Sequence, residues 1–211
     1  MRLLLIAFCV IAAFSARAHS VWIEPLADGG LVIRFAEPDG KLETSPGHLD
    51  SLSPPNAFIV LTNAPFQVEA PKKSDHFRLV NASATNVACV ETISTVRGGR
   101  KPYFYARWQP AGAGAATPSL NLDLVPTGKS GEVKAWFRGK PLPGVSATLR
   151  TPAEKELEII ADSEGVLRFE AKQPGQYLLT IPHYRESLSG FFAGYPYAQI
   201  SHNAALSWIQ A

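Results

Sequence analysis

Glu132-Val133-Lys134-Ala135-Trp136-Phe137-Arg138-Gly139-Lys140-Pro141-Leu142-Pro143-Gly144-Val145-Ser146-Ala147-Thr148-Leu149 decides the fold. Two runs that alternate with a period of two flank a turn rich in glycine and proline, which is the pattern of half-buried strands and not of a helix. The same grammar continues downstream. Ile159 to Phe169 reads as a strand, an acidic turn at Asp162-Ser163-Glu164-Gly165 and a return strand, and Pro174-Gly175-Gln176-Tyr177 leads into Leu178 to Ile181. Turns at this spacing suit a small Greek-key, immunoglobulin-like β-sandwich, placed at residues 129–211.

Upstream, His19 to Ile23, Leu31 to Phe35, Ala57 to Leu61, Phe77 to Val80 and Tyr103 to Trp108 read as strands of a first unit, residues 19–128, which Leu120 to Val125 closes. Ala111 to Ala116 is a flexible loop. No apolar pattern of helical period persists for three turns. The expectation is an all-β protein of two β-sandwich units.

Residues 1–18 read as a secretory signal peptide, with Arg2 at its start, an apolar run from Leu3 to Phe14, and Ala16-x-Ala18 as the cleavage site. The apolar run is about a dozen residues, short of the roughly 20 that span a bilayer, so no membrane insertion is expected after cleavage. The mature chain is then periplasmic or secreted and begins at His19.

The formal charge of +2 belongs to Arg2 and Arg17 of the leader. Without them the chain has no net charge and no basic run, which excludes nucleic acid and anionic lipid as partners. Cys89 is the one cysteine left after cleavage, so neither an internal disulfide nor a cysteine-based zinc site is available. Met1 is the only methionine, so the mature chain also lacks thioether ligands. Any metal must be held by nitrogen and oxygen.

Five histidines remain as candidates: His19, His48, His76, His183 and His202. A mature amino-terminal His19 offers its α-amine, with a pKa near ~8, and its imidazole as a chelate. That pairing is the nucleus of a histidine brace, whose nitrogen-rich tetragonal geometry suits Cu(II) first and Ni(II) second. Strand parity supplies partners. His183 continues the apolar face of Tyr177, Leu179 and Ile181, and His202 shares a face with Ile200, Ala204 and Leu206. Were these strands to pair across the Gly190 to Tyr197 loop, His183 and His202 would lie together and His19 would complete a metal site. The structural alternative is that each core-facing imidazole bonds a backbone carbonyl. His48 reads as a loop residue, and His76 as a partner of Asp75 or a late ligand.

No nucleophile elbow, zinc-protease motif or phosphate loop is present, so no enzyme is expected. Gly98-Gly99-Arg100-Lys101 is a tight basic turn without P-loop spacing. A copper oxygenase is the one enzymatic alternative, because such enzymes also begin with a metal-binding histidine. The Gly190-Phe-Phe-Ala-Gly-Tyr-Pro-Tyr197 loop holds four aromatics, more than a loop needs unless it packs over something or meets a partner.

Lys134 to Leu179 resembles the carboxypeptidase-regulatory or surface-adhesin type of β-sandwich. His19-Ser-Val-Trp-Ile-Glu-Pro25, Leu122-Asp-Leu-Val-Pro126, Gly139-Lys-Pro-Leu142, Asp162-x-x-Gly165 and Ser201-His-Asn-Ala-Ala-Leu-Ser-Trp208 together resemble the exported NikM-like family, a periplasmic group associated by name with nickel uptake. The resemblance implies a two-part β protein tied to transition-metal handling. The expected function is therefore binding of copper or nickel in the periplasm and delivery to a transporter or outer-membrane receptor. A non-catalytic module that adheres to a protein or glycan is the competing expectation.

Overall fold

A computed structural model describes residues 19–36, 40–61 and 64–211; the leader read at residues 1–18 lies outside the described residues. In chain order the strands are β1 (Ser20–Pro25), β2 (Gly30–Ala36), β3 (Asn56–Val60), β4 (Pro65–Val68), β5 (Phe77–Ser83), β6 (Val87–Ile93), β7 (Arg100–Trp108) and β8 (Leu122–Pro126). There follow β9 (Glu132–Phe137), β10 (Lys140–Pro141), β11 (Ser146–Arg150), β12 (Glu156–Ile160), β13 (Val166–Arg168), β14 (Gly175–Glu186), β15 (Gly190–Phe192), β16 (Tyr195–Tyr197) and β17 (Gln199–Gln210). Among the described residues one 3-10 turn, His48–Ser51, lies between β2 and β3. The chain is all-β.

A central sheet of eight strands runs β12-β11-β14-β17-β7-β6-β3-β4. All its pairings are antiparallel except β17 with β7, which run parallel from Gln199 opposite Arg100 to Ser207 opposite Trp108. β1, β2 and β5 form a second sheet. β9, flanked by β8, β10 and β13, forms a third, and β15 and β16 a small hairpin.

Alternation along β6 and β7 divides the core in two. Ala88, Val90, Phe104, Ala106 and Trp108 join Val21, Ile23, Leu31, Ile33 and Phe35 in one cluster. Cys89 and Tyr105 join Leu122, Leu124, Ala135, Leu167, Leu179 and Leu206 in the other. Because neighbouring residues of a strand point to opposite faces, the two cores lie on opposite faces of the central sheet, each capped by a smaller sheet. The molecule is two sandwiches that share their middle layer.

Sharing a layer ties strands together across the expected division at residue 128. The strand at Leu122, expected to close the first unit, pairs with β9 instead and buries Leu122 and Leu124 in the second core. β17, from the second unit, completes the sheet beside β7 of the first. The expected return strand also behaves differently: β12 pairs with β11 in the central sheet, whereas β13 pairs with β9, so the Asp162 to Gly165 turn crosses between layers. Asp162 holds that turn by accepting the backbone N–H groups of Glu164 and Val166, each at 2.9 Å.

Candidate metal centre

His19 stands just beyond the β1–β2 ladder, whose first pair is Ser20 with Ala36. Its neighbour across the sheet is Phe35, at 5.0 Å between ring centroids. After β2 the chain folds back so that the Glu43 N–H donates to the Phe35 carbonyl at 2.9 Å, which sets the Glu43 carboxylate beside His19. His19 Nε2 lies 2.7 Å from Glu43 Oε1.

His48 reaches the same oxygen from the 3-10 turn, with Nδ1 at 3.0 Å from Glu43 Oε1. The turn is anchored by buried Leu49 and by Asp50, which accepts the Gly47 N–H, the Ser45 hydroxyl and Lys72 Nζ. Lys72 above all, with Ser45 and Gly47, pulls the Asp50 carboxyl down to about 2. Gly47, at φ 147°, can bear no side chain here, since a Cβ would come within 2.8 Å of the Thr44 carbonyl oxygen. His48 is thereby fixed edge-on to His19 at 4.6 Å, with Phe35 at 5.4 Å from its ring.

Each of His19, Glu43 and His48 offers a ligand atom, and these atoms all lie within 4.8 Å of one another. Burial alone would raise the Glu43 carboxyl, but the hydrogen bonds from His48 and His19 outweigh it and hold it below its ordinary value. An ionised carboxylate between two imidazoles is a nitrogen–oxygen donor set of the kind that divalent transition metals accept. The group is half-buried and opens on a cavity of about 340 Å³ between the β1–β2–β5 sheet and the central sheet.

His183 lines that cavity; His202 does not. β14 and β17 do pair antiparallel around the β15–β16 hairpin, as expected, but the register shifts between Ile181 and Tyr184. Ile181 faces Ala204 and Tyr184 faces His202, so Pro182 and His183 together oppose Asn203 alone. This bulge reverses the parity. His183, at φ 57°, turns to the face of Ser201 and Asn203, bonding the Ser201 hydroxyl through Nδ1 at 3.1 Å and the Asn203 side-chain oxygen through its N–H at 3.0 Å.

His202 stays on the opposite face, 4% exposed. It lies among Tyr103, Tyr105, Phe137 and Tyr184, with Nδ1 3.0 Å from the Tyr105 hydroxyl and Nε2 2.8 Å from Glu186. The expected set of His19, His183 and His202 is therefore not assembled, because a bulge separates its last two members by the thickness of the sheet. Burial lowers the pKa of both, by more than Glu186 restores at His202, and Arg100 and Arg185 add to the effect at His183.

His76 pairs with Asp75 at 2.7 Å, away from the cavity. Trp22 and Glu24 of the amino-terminal motif serve the same outer ladder: the Trp22 indole and Arg34 both donate to Glu24, and Arg34 also donates to Asp75. No local sequence signal marks Glu43 or His48. Pro182, by contrast, was a signal for the bulge, since a proline inside a central strand has no N–H for the ladder and is tolerated at bulges.

No protein-family model and no curated protein sequence matches the chain. Among solved structures, it is similar to the crystal structure of chicken CNTN1 FN1-FN3 domains, at 9% identity and a TM-score of 0.22. That alignment covers 91% of this chain and 66% of the other, so the chain spans just under two thirds of its length. A likeness of this degree carries no argument about function.

Proposed function

We propose that the protein is an exported, non-catalytic binder of a divalent transition metal, copper or nickel, and that it passes the metal to a transporter or outer-membrane receptor. His19, Glu43 and His48 hold the ion, in place of the set with His183 and His202. The observation that supports this reading is the convergence of three donor atoms within 4.8 Å, two of them from His19 and His48 on the wall of a cavity. In a chain cut before His19, the freed α-amine adds a further nitrogen, and the nitrogen-rich set favours Cu(II) and Ni(II).

Calorimetry with copper and nickel on protein beginning at His19 tests it. One equivalent of copper should bind, and His48→Ala should weaken it by at least the roughly 10- to 100-fold that loss of an outer-sphere partner costs. Equal affinity in a form extended before His19 would remove the amine from the ligand set, and the absence of any heat would remove the metal. In that last case the second reading gains, a module that docks a protein or glycan. It is favoured by the β15–β16 hairpin, where Phe191 is 77% and Tyr195 61% exposed.

A further inference from the structure

The basic turn between β6 and β7 has no role in holding an ion, yet it faces the same cavity. Arg97 and Arg100 close the Gly98-Gly99 turn with reciprocal backbone hydrogen bonds of 3.0 and 3.1 Å, and both glycines have positive φ, 55° and 69°. This is the tight hairpin geometry that Gly-Gly favours, and it locks the two arginines directly opposite each other. Residues so paired share a face, and like charges there destabilise the strands. Among the described residues neither guanidinium has a carboxylate partner, and both line the cavity beside His19, His48 and His183.

Charge and volume lead to the same conclusion. A bare dication would enter a space lined by two guanidinium groups and no carboxylate, with the single charge of Glu43 set behind His19 and His48, and repulsion in a partly buried site is only weakly screened. The cavity of about 340 Å³ is also far larger than an ion needs; a liquid water occupies only ~30 Å³. It falls in the range of small-molecule sites, which begin at about 300 Å³. Guanidinium forks match carboxylates two bonds at a time.

We infer that this cavity takes its metal as a complex with a small polycarboxylate, the ion on His19, Glu43 and His48 and a free carboxylate of the chelator between Arg97 and Arg100. The inference rests on the metal reading of those three residues. The chelator neutralises the paired arginines and the excess charge of the metal together, with no covalent step.

Equilibrium dialysis of copper(II) with radiolabelled citrate against the protein beginning at His19 tests it. Copper and citrate should be retained in equal amounts. In Arg97→Gln/Arg100→Gln citrate retention should fall about tenfold or more, the scale of one lost charge-assisted hydrogen bond. Bare copper should bind that variant more tightly than it binds the wild type, and the variant's thermal midpoint should rise as the like-charge pair is relieved, which also reports that it folds. Copper retained with the citrate left behind would overturn this inference and leave the metal reading standing. Copper retained in neither form would remove both. Inorganic phosphate retained with copper as well as citrate is would overturn the assignment to a polycarboxylate.

Discussion

A neutral His202 satisfies both of its neighbours, accepting from the Tyr105 hydroxyl at Nδ1 and donating from Nε2 to Glu186. Unfolded, the imidazole takes up a proton near 6.5; folded, burial lowers that value. The unfolded chain thus binds more protons below about 6.5, and the folded state loses stability as pH falls from there through the depressed folded value. His183 acts in the same direction. Urea midpoints measured between about pH 7.5 and 5 should fall with acidification, and less steeply in His202→Gln, which keeps a polar side chain without the titration. An unaltered slope in that variant would show that the pH dependence arises elsewhere. The residues of the candidate site were only half legible. His19 stands out by its place after the expected cleavage site, but Glu43 and His48 meet it through a fold-back after β2 and a 3-10 turn, neither of which has a periodicity to read.

Strands were more legible than their partners. Short apolar runs between turn signals located β1, β2, β3, β5, β7, β9 and β11, and β6 was missed, where Ala88 and Val90 enter one core, Cys89 enters the other and no polar face alternates with them. Parity failed only at the β14 bulge. There His183 sits in the left-handed region, which asparagine tolerates and a β-branched residue does not. His183→Val should therefore destabilise the protein by about 1–3 kcal/mol, whereas His183→Asn should stay within about 1 kcal/mol of the wild type. Denaturant midpoints of the two variants give the comparison, and equal losses would mean that the lost Ser201 contact outweighs the backbone strain.

For the molecule as a whole, the sharing of one sheet predicts joint unfolding. Arg107 of β7 and Asp123 of β8 form a fully buried ion pair, with Nε and Nη2 donating at 2.9 and 2.6 Å, and Asp123 also accepts the N–H groups of Ser119 and Leu120. Asp123→Ala would leave a guanidinium charge unpaired in the interior and should cost about 3–5 kcal/mol. Calorimetry of the wild type should show one transition, shifted intact in this variant. A variant that melted in two steps would mean that the sandwiches fold independently. The division at residue 128 was drawn from turn composition, and composition contains no information about which distant strand completes a sheet.

The parallel pairing of β7 with β17 also has a consequence in time. Arg100 finds Gln199 opposite it, a partner made nearly a hundred residues later. At the roughly 5–20 residues per second of protein synthesis, β7 waits several seconds with one edge of its backbone unpaired. Unpaired edges recruit other chains, and lysine and proline are the usual deterrents. β7 opens with Arg100-Lys101-Pro102, so the strand that waits longest for its neighbour begins with a guard against the wrong one.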